Sequence, residues 1–317
     1  MSTNLTTDTN SELDIVCFGE ALIDFKETTP LGFQGYCGGS PLNVAVAAAR
    51  LEARVGFASQ ISRDQFGDAL LEHLHSNRVD TRFVMRSDDP STLAFVGEVN
   101  GEAVFDFMAK GAADTRYDPQ PRPVLPQSTR FVSLGSISLL QEPTASSIVE
   151  IIAKHRERTT VFFDPNVRPA LISSREAYLT QLPGLIGLSH ITKVSTQDLE
   201  WLYPGEDLAA IAERWLGYGA RAVIITQGGD GVTLFRQGHA PVDAHAPAVA
   251  VVDTVGAGDT LSGSLLVALL GKNPDLDKLS DDDWRDALTF AASAAAFNCT
   301  RAGAQPPTKA ELQTFRS

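Results

Sequence analysis

The chain has 317 residues, 43% hydrophobic and 21% charged, with a formal net charge of −13. That composition suits one large α/β domain or two small ones, and an acidic chain without a Lys/Arg-rich run argues against nucleic-acid binding. The three cysteines, Cys17, Cys37 and Cys299, are too scattered for a disulfide framework or a zinc site and suit a reducing cytoplasm; no apolar run approaches the roughly 18 residues that span a membrane.

Residues 1–13 are polar, lack the apolar centre of a signal peptide and read as a disordered tail. Residues 15–25, IVCFGEALIDF, read as one apolar strand running to Asp24. In residues 32–51, GFQGYCGGSPLNVAVAAARL, Gly38 and Gly39 open a turn, Ser40 is the expected N-cap and Pro41 fits the first helical position. Val44, Ala48 and Leu51 then recur at helical spacing. A strand over 55–62 and a helix over 66–79 follow, and such strand–helix alternation builds a parallel sheet.

Between 91 and 108 the pattern changes to β-type alternation on either side of Asn100-Gly101, the signature of a type I′ hairpin, with Phe105 and Phe107 on one face. Such a hairpin either covers an apolar face or forms a lid over a pocket. The proline-rich stretch 117–129 reads as a surface connector. Alternation then resumes with a strand in RFVSLGSISLL running to a Gly-Ser end, a helix through ASSIVEIIAKHRER and a strand ending at Asp164. Another strand over 190–195, two helices, a strand ending at Thr226 in a Gly-rich turn and a last helix over 284–298 complete the pattern. Ligands bind outside the carboxyl ends of the strands of an open parallel sheet, so the strand ends at Asp24, Gly135-Ser136, Asp164 and Thr226 are expected to share one crevice.

Residues 253–260, DTVGAGDT, stand between the apolar runs AVAVV and LSGSLLVALL. Gly256, Ala257 and Gly258 leave the backbone open at the start of the helix that the second run continues to Gly271, and a helix start with unpaired N–H groups is an anion site. Asp259 would compete with a bound anion unless its carboxylate faces the attacking group. It would then accept a hydroxyl proton while the N–H groups stabilise charge on a transferring phosphoryl group. A plain N-cap would need one aspartate and leaves Asp253 without a purpose. The chain has no G-x-x-x-x-G-K-[ST] loop, and Gly263 comes too late for G-x-G-x-x-G.

DTVGAGDT with its small-residue helix resembles the C-terminal signature of the ribokinase-like, or pfkB-type, carbohydrate kinases, and CGGSPLNVAVAAARL resembles their N-terminal one. GEALIDF, LGSISL, DPNVRP, KVSTQDLEWL and ITQGGDGV fall in the family's order, so the resemblance runs from about residue 14 to 310. It implies a three-layer α/β/α core with a mostly parallel sheet (14–24, 38–90 and 111–312) and a small β lid (25–37 and 91–110). It also implies ATP-dependent phosphorylation of a sugar hydroxyl, with Mg2+ and, in many members, K+. By the same resemblance Asp259 is the catalytic base, and Gly256, Ala257 and Gly258 form the anion hole. Asp24, Gly38, Gly39 and Asn43 bind sugar hydroxyls beneath Phe105 and Phe107. Asn166 and Arg168 lie near the sugar or the transferred phosphate. Thr226, Gly228 and Gly231 form the nucleotide-side turn, and Asp253 helps hold the monovalent cation. Lys193 fits either a nucleotide phosphate contact or a solvated lysine. Where many members carry N-x-x-E, Ser195 and Asp198 stand, so the candidate metal ligand Asp198 is retained but shorter; Ala292 replaces an asparagine near the adenine.

The motifs look most like the bacterial fructokinase branch, which implies conversion of D-fructose to fructose 6-phosphate. A 2-keto-3-deoxygluconate kinase is the nearest enzyme rival, but Lys110 rather than an arginine follows the lid aromatics, which favours a neutral sugar. Ribokinase itself is disfavoured because the first strand lacks an Asn-x-Asp ending. The non-enzyme alternative is an inactive sugar-binding regulator, which would not need Asp259. An exposed hairpin edge invites strand pairing, so a cytoplasmic homodimer is expected, without nucleic-acid or membrane partners.

Overall fold

The computed structural model describes residues 12–99 and 102–316. The expected turn at Asn100-Gly101 and the Phe105 side chain lie outside the described residues. In chain order the strands are β1 (Ile15–Phe18), β2 (Leu22–Thr29), β3 (Gly32–Gly38), β4 (Val55–Ser62), β5 (Asp80–Ser87), β6 (Thr92–Val99), β7 (Glu102–Met108), β8 (Phe131–Gly135), β9 (Thr160–Asp164), β10 (Ile191–Ser195), β11 (Ala222–Thr226), β12 (Val232–Phe235) and β13 (Val242–Ala244). The helices are α1 (Ser40–Arg50), α2 (Gln65–Ser76), α3 (Thr144–His155), α4 (Arg175–Leu188), α5 (Thr196–Leu202), α6 (Leu208–Gly217), α7 (Ala257–Leu270), α8 (Asp281–Cys299) and α9 (Lys309–Arg316). None of them is long and apolar enough to cross a membrane.

Nine strands form a central sheet in the order β13-β12-β11-β10-β9-β8-β1-β4-β5. It is parallel from β11 to β5, with β12 and β13 antiparallel at one edge. Its strands read as apolar runs because both faces are covered. β1 sends Ile15 and Cys17 into a core with Leu42 of α1, Leu265 of α7 and Trp284 of α8. Val16 and Phe18 enter the opposite core with Ile148 of α3, Leu182 of α4 and Trp215 of α6. Each such side chain, fully buried, contributes roughly 1.5–3 kcal/mol relative to exposure.

The expected single strand over 15–25 is two strands in two sheets. The chain leaves the central sheet at Gly19, whose φ is 145° and where a Cβ would lie 2.4 Å from Pro41 Cγ and 2.5 Å from Ser138 Oγ. It then enters a four-stranded sheet of order β3-β2-β6-β7, in which β2 pairs in parallel with β6 and the other pairs are antiparallel. Asp24 therefore belongs to the small sheet rather than to an end of the central one. The strand in RFVSLGSISLL ends, as expected, at its Gly135-Ser136 pair. β8 ends at Gly135, where a Cβ would lie 1.9 Å from the Asp164 carbonyl oxygen, and Ser136–Leu140 form a 3-10 turn.

The small sheet is fixed to the core on both faces. Phe25 stacks on Phe95, centroids 5.3 Å apart, and meets Phe66 of α2 edge-on at 5.7 Å. On the other side Leu22 and Ala94 pack with Ile137, and Phe107 adds to that cluster. Phe107 thus has a covering role that its sequence pattern left open.

Candidate active site

Two helix starts converge beside the carboxyl ends of the central strands. α1 is capped by Gly39, whose φ of 102° turns the backbone sharply out of β3; a Cβ there would lie 2.7 Å from the Glu20 carbonyl oxygen. Gly39, not Ser40, is the N-cap, which frees the Ser40 hydroxyl for another partner. α7 is capped by Gly256 in the left-handed conformation, φ 74°. The two helices pack closely because Gly263 is bare: a Cβ there would lie 2.6 Å from the Val44 carbonyl oxygen.

The Asp259 carboxylate, 7% exposed, is where they meet. Ser40 Oγ donates to its Oδ1 at 2.7 Å, and Asn43 Nδ2 donates to its Oδ2 at 2.9 Å. Asn166 Nδ2 donates to Ser40 Oγ at 3.0 Å and lies 3.4 Å from Asp259 Oδ1. A carboxylate offers about four acceptor sites. These three donors leave one for a substrate hydroxyl that could surrender its proton there. Asn166, at φ 41°, also presents Oδ1 as a buried acceptor with no partner among the described residues.

At the start of α7 the Ala257 amide turns back onto the Thr254 carbonyl at 3.2 Å, while the Gly258 and Asp259 amides meet no backbone acceptor among the described residues. Ala257 is thus a loop-closing residue here, not a free anion-hole donor. Lys193 is neither solvated nor free. Its Nζ lies 2.6 Å from Asp164 Oδ2, both side chains being 5% exposed, and 3.1 Å from where a Cβ on Gly258 would stand. A buried cation therefore underlies the helix start, and with the open amides it favours an anion there. Burial pushes the Asp164 carboxyl up to about 6, against the pull of Lys193. Burial works against the Lys193 charge as well, but Asp164, Asp198 and Asp259 outweigh it and raise its pKa.

On the sugar side, Asp24 of β2 lies against Gly38 of β3, where a Cβ would stand 2.1 Å from Asp24 Oδ2. Burial pushes the Asp24 carboxyl up to about 7, with Arg168 pulling it down and Asp259 and Glu20 adding to the rise. Arg168 is held over this cluster by donating to the Val167 carbonyl at 3.0 Å. Buried Glu20 accepts from the Ser138 hydroxyl and from the Ser40 amide at 3.2 Å, tying β1's exit to the start of α1. Glu20 was not singled out by the sequence, where the cue was a carboxylate inside the apolar run IVCFGEALIDF; Ser40 was read only as a helix cap and Asp164 only as a strand end.

On the opposite flank Thr226 closes β11. A Cβ on Gly228, at φ 58°, would meet nothing within 4 Å, so this turn is open to a ligand. Gly231 answers a need of the fold instead: at φ 108° its Cβ would lie 2.4 Å from the Ala244 carbonyl oxygen. Asp198 is committed to a capping box with Ser195, whose hydroxyl donates to it at 2.8 Å, and it also accepts the Val167 amide at 3.1 Å. It braces the loop carrying Asn166 and Arg168 rather than presenting a bare ligand. Among the described residues no group of three or more His, Cys, Asp and Glu side chains could hold a metal ion.

The pfkB family carbohydrate kinase model matches residues 12–311. The chain belongs to the pfkB family of carbohydrate kinases. A fructokinase of Rhizobium leguminosarum bv. trifolii is 34% identical over 259 residues, covering 80% of this chain and 79% of its own. Among solved structures, fructokinase with bound ATP from Xylella fastidiosa superposes with a TM-score of 0.85 at 28% identity, covering 95% of this chain and 97% of its own. Aminoimidazole riboside kinase from Salmonella enterica, complexed with aminoimidazole riboside and an ATP analogue, gives 0.85 at 27% identity, covering 96% and 100%. In this pfkB kinase the Asp259 carboxylate and the open amides lie in the first turn of α7, and the Lys193 cation of β10 lies beneath them, groups of the kind that phosphoryl transfer to an alcohol asks for.

Proposed function

We propose that this pfkB kinase transfers the γ-phosphoryl group of ATP to the primary 6-hydroxyl of D-fructose. The observation that carries the reading is the division at the start of α7. The Asp259 carboxylate is held by Ser40, Asn43 and Asn166 on the side of Asp24, while the Gly258 amide and Lys193 answer to an anion. The sugar is held by Asp24 and Asn43, and Asp259 takes the hydroxyl proton as the oxygen attacks. The helix start over Lys193 stabilises the transferring charge. The open turn at Gly228 has room for the nucleotide. Mg2+ would enter bound to the phosphates and water rather than in a protein cage, in keeping with its usual habit; it would neutralise phosphate charge.

The test is ADP release with fructose, ribose, 2-keto-3-deoxygluconate, adenosine and aminoimidazole riboside. Fructose is expected to give the highest kcat/KM. Asp259→Asn is expected to lose at least about a hundredfold in kcat, as removal of a general base does. A higher kcat/KM with any other acceptor overturns the fructose assignment. Activity in Asp259→Asn within about tenfold of the parent overturns the base assignment.

A further inference from the structure

Asp253 opens the DTVGAGDT segment, and the family resemblance makes it a holder of K+. The groups around it do not suit a free cation. Its Oδ1 accepts the Val255 amide at 3.1 Å, and its Oδ2 accepts the Gly303 amide at 3.0 Å and the Lys26 ammonium at 2.9 Å. Cations take oxygen ligands, whereas what converges here is N–H donors, one of them already charged. We propose that the Lys26 ammonium is itself the cation at Asp253, carried there by the small sheet, and that this kinase does not need K+.

The electrostatic need is plain. The Asp253 side chain is 7% exposed and stands just before the glycines of the anion cradle, where an uncompensated carboxylate would repel an incoming phosphoryl group. Lys26, 49% exposed on its outer side, supplies the opposite charge. Burial pushes the Asp253 carboxyl up, but the Gly303 amide, Lys26 and the Val255 amide prevail and hold it below its usual value. The tether is equally specific. Lys26 lies two residues beyond Asp24, so both project from the same face of β2. Both line one cavity of about 560 Å³, together with Asp253, Thr254, Val255 and Gly303. The sheet position that sets Asp24 over a sugar therefore sets Lys26 on Asp253, and sugar contact and charge compensation arrive together.

This proposal rests on the kinase reading only for its activity arm; melting measures the site directly. Wild type and Lys26→Met are compared in KCl and in tetramethylammonium chloride at matched ionic strength, by thermal melting and by ADP release with fructose. In wild type, K+ is expected to leave the melting temperature unchanged and to alter kcat/KM by less than about twofold. Lys26→Met is expected to lose about tenfold or more in tetramethylammonium, to regain most of it in KCl, and to melt higher with K+ than without. A wild-type protein that K+ stabilises, or activates about tenfold, overturns the proposal whether or not the variant folds. So does a folded Lys26→Met that neither loses activity nor responds to K+. If no sugar supports ADP release, the melting comparison still decides the cation.

Discussion

Gly38→Ala is the sharpest steric test of the sugar side. A Cβ at this position would stand 2.1 Å from Asp24 Oδ2 and 2.9 Å from Asp24 Cγ, where real Cβ contacts essentially never fall below 3.0 Å. The carboxylate must therefore retreat by about 0.9 Å, and since a misplacement of about 1 Å can lower rates about a hundredfold, kcat/KM for the sugar should fall by that order. The backbone has no reason to object. Gly38 is the last residue of β3 and, unlike Gly39, does not have a left-handed φ. The melting temperature should accordingly change little, and KM for ATP should stay near the parent value because Gly38 is remote from the Gly228 turn. The assay is coupled ADP release at varied sugar and at varied ATP, with melting alongside. A sugar kcat/KM within about threefold of the parent would show that Asp24 does not hold the substrate in this pose.

Lys193→Met should be strongly destabilising, because it strands the Asp164 carboxylate in a site where both side chains are 5% exposed. Breaking such a pair from one side costs about 3 to 5 kcal/mol, whereas Lys193→Met with Asp164→Leu should recover much of the loss without restoring activity. Chemical denaturation of both variants checks this, and a single variant as stable as the parent would refute it. Asp114 gives a pH test. It is buried, accepts from Thr92 Oγ1 at 2.6 Å, and burial pushes its carboxyl from 3.8 up to about 7 despite that bond. Between those values the folded chain holds a proton that the unfolded chain has released, so this group's contribution to stability declines as pH rises from 3.8 towards about 7. Asp114→Asn should flatten the fall in melting temperature between pH 5 and pH 7.5, roughly the upper part of that window, relative to the parent. Parallel pH curves would refute the assignment.

The layered fold was legible because both faces of the central sheet are covered, which turns its strands into apolar runs separated by turn chemistry. The change of sheet at Gly19 was not, since an apolar run says nothing about which sheet receives it. Asp259 and the proposed anion cradle were picked from a local conflict in the sequence, a carboxylate placed where an anion should sit. The partner of Ser40 could not: local rules make it a helix cap, and its hydroxyl instead meets a carboxylate 219 positions away. Lys193 shows both sides. The sequence left it as either a phosphate contact or a solvated lysine, and only the assembly of β9 beside β10 supplied its partner Asp164. The committed role of Asp198 was half visible, as Ser195-x-x-Asp198 has the spacing of a capping box.

The small sheet is drawn from two stretches of chain, Leu22–Gly38 and Thr92–Met108, joined where β2 runs beside β6 with Ile23 opposite Leu93. Those partners are about seventy residues apart in sequence, and such distant pairings form slowly because loop closure must precede them. Neither stretch alone makes the sheet, and both are separated by α1, β4, α2 and β5. β2, which carries Asp24, thus gains its β6 partner only after α1, β4, α2 and β5 have been made. Closure of the small sheet, and with it the final placing of Asp24, is expected to be a slow step in the folding of this molecule.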